Sequence, residues 1–197
     1  MKYIWLGIYF SVLLWSAIDP KDTFTWFLEA IPALIGFILM ALTYKKFPLT
    51  PLLNTLILIH MIILMVGAHY TYAEVPLFDM IKEIFHQTRN NYDKVGHFAQ
   101  GFMPAILARE LLLRLEVIKA SKVWLNYIVL SIVLAFSAFY ELIEWWVALA
   151  TGEGADAFLG TQGYIWDTQS DMMYALIGAV TALTLLSRYH DKQLKEK

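Results

Sequence analysis

The sequence predicts an all-α fold, a polytopic membrane protein built as a six-transmembrane-helix bundle with a short interfacial helix between spans 3 and 4. Three observations predict it. The 197 residues are 59% hydrophobic and only 16% charged, with a mean hydropathy of +0.55. Soluble domains are roughly a quarter charged and about half apolar, so this chain has too few ionic residues to cover an apolar core. Apolar residues gather into segments near the length of about 20 residues that a helix needs to cross roughly 30 Å of hydrocarbon. Lys and Arg, finally, segregate to alternate connections between those segments. Backbone polar groups in lipid must be satisfied within the segment, so the spans are helices. Residues 1–197 read as a single integral membrane domain.

The first span, Tyr3–Ile18, is somewhat short and suits a thinned region of bilayer or an untilted helix. No A-x-A cleavage pattern follows it, so it reads as a retained span rather than a signal peptide, with Asp19-Pro20-Lys21-Asp22 as a loop. Trp26–Tyr44 is the second span. Phe47-Pro48 stops it, and Thr50-Pro51 starts the third, Pro51–Tyr70, with Thr50 as N-cap. Between Val75 and Thr88, Leu77, Met80, Ile81, Ile84 and Phe85 recur at helical spacing opposite Asp79, Lys82, Glu83 and His86, which predicts a short helix on the membrane surface. Val95–Leu115 and Val123–Leu149 are spans four and five. Thr151–Gln162 is rich in small residues and reads as a loop before the last span, about Asp167–Leu186.

Orientation follows from charge. With the amino terminus cytoplasmic, eleven of the 15 Lys and Arg fall on the inner side, against Lys21, Lys82, Arg89 and Lys94 outside. That asymmetry places both termini in the cytoplasm. Arg109 and Glu110 then read as inner-interface residues that snorkel, and His60, His86 and His190 stay unassigned. The absence of Cys excludes disulfides, thiolate metal sites, Fe–S clusters and a catalytic thiol. Nothing in the sequence points to nucleic acid.

Ionisable residues inside spans are costly and mark pathways or sites. Here they collect on one side. Glu29 begins span two, His69 ends span three, Asp93, Lys94 and His97 begin span four, Glu141 and Glu144 end span five, and Asp167 and Asp171 begin span six. All lie at the outer end of their helices. Asp93 and His97 stand four apart, Lys94, His97 and Gln100 step by three, Glu141 and Glu144 stand three apart, and Asp167 and Asp171 four apart, so each set shares a helix face. Such sets suit ligation of a divalent cation or general acid/base work. Pro104 lacks an N–H, which frees the backbone carbonyl of Gln100 one turn past His97.

Each element also has an ordinary reading. Asp93 serves as an N-cap; Thr168-Gln169-Ser170-Asp171 fits a capping box; Glu141 and Glu144 pair with Lys94 or Arg89; His69 and His97 are hydrogen-bonded core residues. Lys94 resists such a reading, because a cation in a first helical turn opposes the dipole. These readings account for residues singly, not for their collection on one side.

The runs HYTY at 69–72, NYDKVGHF at 91–98, YELIEWW at 140–146, and GTQG at 160–163 followed by WDTQSDM at 166–172 resemble the YjdF family of bacterial inner-membrane proteins. The resemblance covers nearly the whole chain and implies location in the inner (cytoplasmic) membrane, with no defined chemistry. A more distant similarity is to VanZ-like membrane proteins of the cell envelope, whose Asp-Lys-x-x-His, later Glu, and Asp preceding Gly fall on Asp93, Lys94, His97, Glu141, Asp171 and Gly178. Ala175 and Glu144 depart from that pattern, which tends to Asn and Gln there.

Three functions compete. In the first, a divalent-metal hydrolase or transferase acts on a lipid headgroup or lipid-linked envelope precursor. His97, Glu141, Glu144, Asp167 and Asp171 are then candidate ligands for Zn²⁺ or Mn²⁺, and Asp93 orients the ring of His97 while Lys94 neutralises a phosphate. The catalytic candidates are Asp93, Lys94, His97, Glu141 and Glu144, with Glu29, His69 and Gln100 secondary. In the second, the same groups bind lipid or relay a cation or proton without catalysis. In the third, they form a structural ion-pair network with Lys94 and Arg89 as its cations.

Overall fold

The apolar segments fold into the long helices of a bundle. The computed structural model describes residues 2–119, 121–152 and 156–196. Its helices are α1 (Lys2–Ala17), α2 (Thr23–Thr43), α3 (Pro51–Tyr70), α4 (Pro76–Ile84), α5 (Tyr92–Arg114), α6 (Lys122–Thr151), α7 (Asp156–Leu159) and α8 (Asp167–Leu194), with a 3₁₀ turn at Tyr72–Glu74. No strand occurs among the described residues. The segment read as a loop from Thr151 to Gln162 contains the short α7; its residues 153–155 lie outside the described residues.

By length and composition, α2, α3, α6 and α8 are long and apolar enough to cross a membrane. The other two long helices differ for separate reasons. α1 has 16 residues, about 24 Å at 1.5 Å per residue. α5 has 23 residues but carries Asp93, Lys94, His97, Gln100, Arg109 and Glu110, all buried. It accommodates them because α3, α6 and α8 all pack on it, so protein rather than lipid surrounds those side chains. Large apolar residues face outward instead: Ile38, Leu42, Val123, Leu149 and Leu185 are exposed, a surface that suits hydrocarbon and not water.

Local chemistry sets the helix ends. Asp22 Oδ1 accepts from the Thr25 N–H at 2.6 Å, so α2 begins three residues before its apolar run. That backbone bond holds the exposed Asp22 carboxyl below the usual carboxylate range. Thr50 caps α3 from the residue before Pro51, accepting from the Leu53 N–H at 3.3 Å.

Packing is closest between α5 and α8. A Cβ on Gly101 would fall on the carbonyl of Ala175, and one on Gly178 on the carbonyl of Phe98. Small residues at this crossing let the backbones touch. Ile106, Val129, Val133 and Ala179, none of them exposed, fill the core beside it. α1 joins through its aromatic face: Tyr9 stacks on Phe37 of α2 at 4.7 Å between centroids, and Trp5 Nε1 donates to the Asn54 carbonyl at 2.9 Å.

Arg109 and Glu110 do not snorkel; both are buried in a polar latch at the end of the bundle where α3 starts and α5 and α8 finish. The Glu110 carboxylate accepts from the Thr50 N–H at 3.0 Å, the Thr50 hydroxyl at 2.7 Å and Arg114 at 2.8 Å. Arg109 donates to Nδ1 of His190 at 2.9 Å and pairs with Asp191. An acceptor role for Nδ1 leaves the ring proton on Nε2, which lies 3.0 Å from Glu110 and donates to it. This latch, with Gln193 accepting from the Leu52 N–H at 2.9 Å, carries α8 past its apolar end at Leu186 to Leu194.

Candidate functional site

The opposite end of the bundle gathers the predicted residues. Two connections are clasped over it. Asn90, fully buried, exchanges bonds with Gln162: its N–H donates to Oε1 at 2.9 Å, and Gln162 Nε2 donates to its carbonyl at 2.8 Å. The Asn90 amide also donates to Val75 O at 3.0 Å and Asp79 Oδ1 at 2.9 Å, which ties in α4. Beside it Arg89 donates to Asp167 Oδ1 at 2.5 Å, Gly160 O at 3.1 Å and Asp93 Oδ2 at 3.4 Å.

Beneath that clasp, Lys94 is the cation that the dipole of α5 should repel. Carboxylates offset the repulsion: Nζ lies 2.7 Å from Asp167 Oδ1, 2.6 Å from Asp171 Oδ1 and 3.3 Å from Asp93 Oδ2. Asp167 and Asp171 share a helix face, as their four-residue spacing predicts, and that face turns both toward the Lys94 ammonium. The capping readings fail. The N-caps of α5 and α8 are Asn91 and Trp166, neither with a side-chain cap bond, so Asp93 and Asp171 are free to face inward.

His97 divides the site. Its Nε2 lies 3.2 Å from Asp93 Oδ1 and 3.8 Å from Asp171 Oδ1, while Nδ1 lies 3.0 Å from Gln100 Oε1 and 3.8 Å from Glu141 Oε1. The two ring nitrogens point to opposite sides. Asp93, His97 and Asp171 each offer a ligand atom within 4.8 Å of the others, all three buried. On the other side Glu141 is buried with Oε1 lacking a hydrogen-bond partner. Glu144, one turn on, is half-buried. Glu29, in α2, is buried with neither carboxyl oxygen bonded.

The sequence-predicted set is thus brought together in part. Asp171 shares the Nε2 face of His97. Asp167 stands one step out, taken by Arg89 and Lys94. Glu141 sits on the Nδ1 face, and its expected pairing with Lys94 or Arg89 does not form, because both cations are engaged by aspartates. Asp93 faces Nε2 of His97, and Gln100 faces Nδ1. His69 lies apart: its Nδ1 is 3.2 Å from Ser16 O and its ring packs on Trp15 at 4.4 Å, closing the corner between α1 and α3.

Sequence reasoning missed Asn90, Gln162 and Tyr72. The ring of Tyr72 fills the space that a Cβ on Gly67 or Gly96 would need, so it wedges α3 and α5 apart. Thr71 enters that wedge with φ of +60°, a conformation rare outside glycine. The glycines facing each other across α3 and α5 were the available signal.

A family model described as "Predicted membrane protein (DUF2238)" matches residues 1–192. The chain belongs to this family. It is also 50% identical over 184 residues, 93% of its own length and 88% of the relative's, to a protein called inner membrane protein YjdF from Escherichia coli (strain K12). No solved structure matches it. This DUF2238 protein is therefore a membrane protein with several helices able to cross, and the cluster is buried within it. Asp93, Asp167, Asp171 and Glu141 there outnumber Arg89 and Lys94.

Proposed function

We propose that this protein spans the inner membrane six times with both termini cytoplasmic, and that its periplasmic end holds a divalent cation, zinc or manganese, in a hydrolase or transferase acting on a lipid headgroup or lipid-linked envelope precursor. The observation that carries the reading is the buried triad of Asp93, His97 and Asp171, whose ligand atoms lie within 4.8 Å of one another. Ligand bonds near 2 Å put neighbouring ligands on one ion about 3–4 Å apart, which fits the 3.2 and 3.8 Å separations from Nε2. The unbonded Glu141 oxygen supports it as well. A shallow, mostly apolar depression of about 300 Å³ on the surface beside the cluster is lined by Asn91, Lys94, Val95, Phe98 and Tyr174, and Lys94 links it to the aspartates. In this reading α1 and α5 complete the six spans, and α4 lies on the membrane surface with Leu77, Met80, Ile84 and Phe85 exposed to lipid.

Coupled transport is disfavoured. From Gln100 to Arg109, about 13 Å along α5, the surroundings are the apolar Ala105, Ile106, Val129 and Val133, none of them exposed. The buried polar side chains of His60, midway along α3, and Ser137, midway along α6, interrupt that apolar stretch, but among the described residues no chain of hydrogen bonds through them joins the two ends. The structural ion-pair reading keeps one specific support, the ammonium of Lys94 bridging Asp167 and Asp171.

Metal analysis of the purified protein in detergent separates the two. The expected result is about one zinc or manganese per chain, given one three-ligand site, with loss in His97→Ala and Asp171→Asn. A metal-free wild type overturns the cation reading; if Asp171→Asn also melts at a much lower temperature, the structural network stands in its place.

A further inference from the structure

The side of His97 turned away from the aspartates settles how a cation would be held. Nδ1 meets Gln100 Oε1 at 3.0 Å, three residues on along the same helix face, with Glu141 Oε1 at 3.8 Å behind it. Gln100 and Glu141 are both buried. An ionised carboxylate only accepts hydrogen bonds, and the amide oxygen accepts too, so this face calls for a proton on Nδ1. The Nε2 face meets acceptors as well, Asp93 Oδ1 at 3.2 Å and Asp171 Oδ1 at 3.8 Å, so a cation entering between the two aspartates takes the place of a proton on Nε2 and meets its lone pair there. Metal-bound imidazoles almost always donate their other N–H to a neighbouring acceptor, which fixes the tautomer and the ring plane.

We propose that Gln100 is the positioning residue of the cation site: it holds the Nδ1–H of His97, backed by Glu141, so that the ion binds through Nε2 together with Asp93 and Asp171, and Glu141 is not a ligand. This rests on the cation reading above and reverses two roles that spacing alone suggests, since Asp93 becomes a ligand and Glu141 a supporting acceptor. Spacing cannot separate them, because Asp93 and Gln100 flank His97 on one helix and only the packing of α6 and α8 decides which nitrogen each neighbour meets.

The test is nitrogen-15 NMR of the full chain, histidine-labelled and held in detergent micelles, titrated with zinc chloride; His97→Asn assigns the His97 signals. The expected spectrum has zinc on Nε2 and the proton retained on Nδ1. Gln100→Leu should weaken zinc binding by about 10- to 100-fold, the usual effect of removing such a partner, and Gln100→Glu, which still accepts, should restore it. Glu141→Gln should keep the metal, whereas Asp93→Asn should not. Zinc on Nδ1, or wild-type zinc affinity in Gln100→Leu, overturns the assignment and leaves the cation site standing. A His97 spectrum unchanged by zinc in the wild type overturns both, and the wild-type spectrum reads out even where a variant fails to fold.

Discussion

Lys94 has its side chain almost wholly buried in the first turn of a helix, where charge of its sign is unfavourable, and is held there by Asp93, Asp167 and Asp171. Removing one partner of a buried ionic group costs about 3–5 kcal/mol, because the remaining charges stay unpaired. Lys94→Met should therefore lower the melting temperature markedly in thermal unfolding followed by circular dichroism in detergent. Lys119→Met is the control. Its pair with Glu116 is largely exposed, and exposed pairs contribute little, so its melting temperature should match wild type. Equal behaviour of the two variants would contradict the buried network. At this scale the sequence showed which residue types meet but not their partners. The i,i+4 pairs Asp93/His97 and Asp167/Asp171 were legible because a helix fixes their common face. The engagement of Arg89 by Asp167 was not, since the two lie 78 residues apart and meet only through the fold.

Helices were legible wherever lipid or a cap decided their ends. α3 runs from Pro51 to Tyr70 as the sequence predicts, with Thr50 capping it. The ends that moved are those decided by tertiary bonds. α8 continues through polar residues because Glu110, Arg109 and Leu52 bind them, and hydropathy does not register that support. α5 falls outside the apolar helices for the converse reason: it is the most enclosed by protein, so it carries the polar side chains that lipid would exclude. Its contact with α8 gives an element-scale prediction. Overpacking a filled contact costs about 1–3 kcal/mol or more, and here the obstruction is backbone, which has little freedom to yield. Gly101→Val and Gly178→Val should both reduce stability in a thermal-shift assay. Gly7→Val, whose added Cβ would meet nothing within 4 Å, should not. Tolerance of all three would show that α5 and α8 do not pack this closely.

Across the whole molecule, family membership and the apolar helices establish a membrane protein, whereas the VanZ-like likeness rests on the six residues quoted for it. The two polar ends are unlike in kind. One is a latch whose Glu110 oxygens, Thr50 hydroxyl and His190 nitrogens are all bonded; the other retains unbonded carboxyl oxygens on Glu29 and Glu141. The latch keeps one unpaired donor, Nε of Arg109, whereas the other end keeps three unpaired acceptor oxygens and Nε of Arg89; unmet acceptors suit the proposed cation site, so orientation decides which compartment that site would serve. The proposed orientation, with both termini cytoplasmic, rests on the eleven of 15 Lys and Arg that it places on the inner side. The absence of native Cys makes that testable without background. Ile165, 84% exposed beside the site, and Glu116, exposed at the end of α5, lie at opposite ends of the bundle. In spheroplasts treated with a membrane-impermeant maleimide, Ile165→Cys should label directly and Glu116→Cys only after permeabilisation. The reverse pattern would put the His97 cluster at the cytoplasmic face, and substrates of the outer leaflet would then lie beyond its reach.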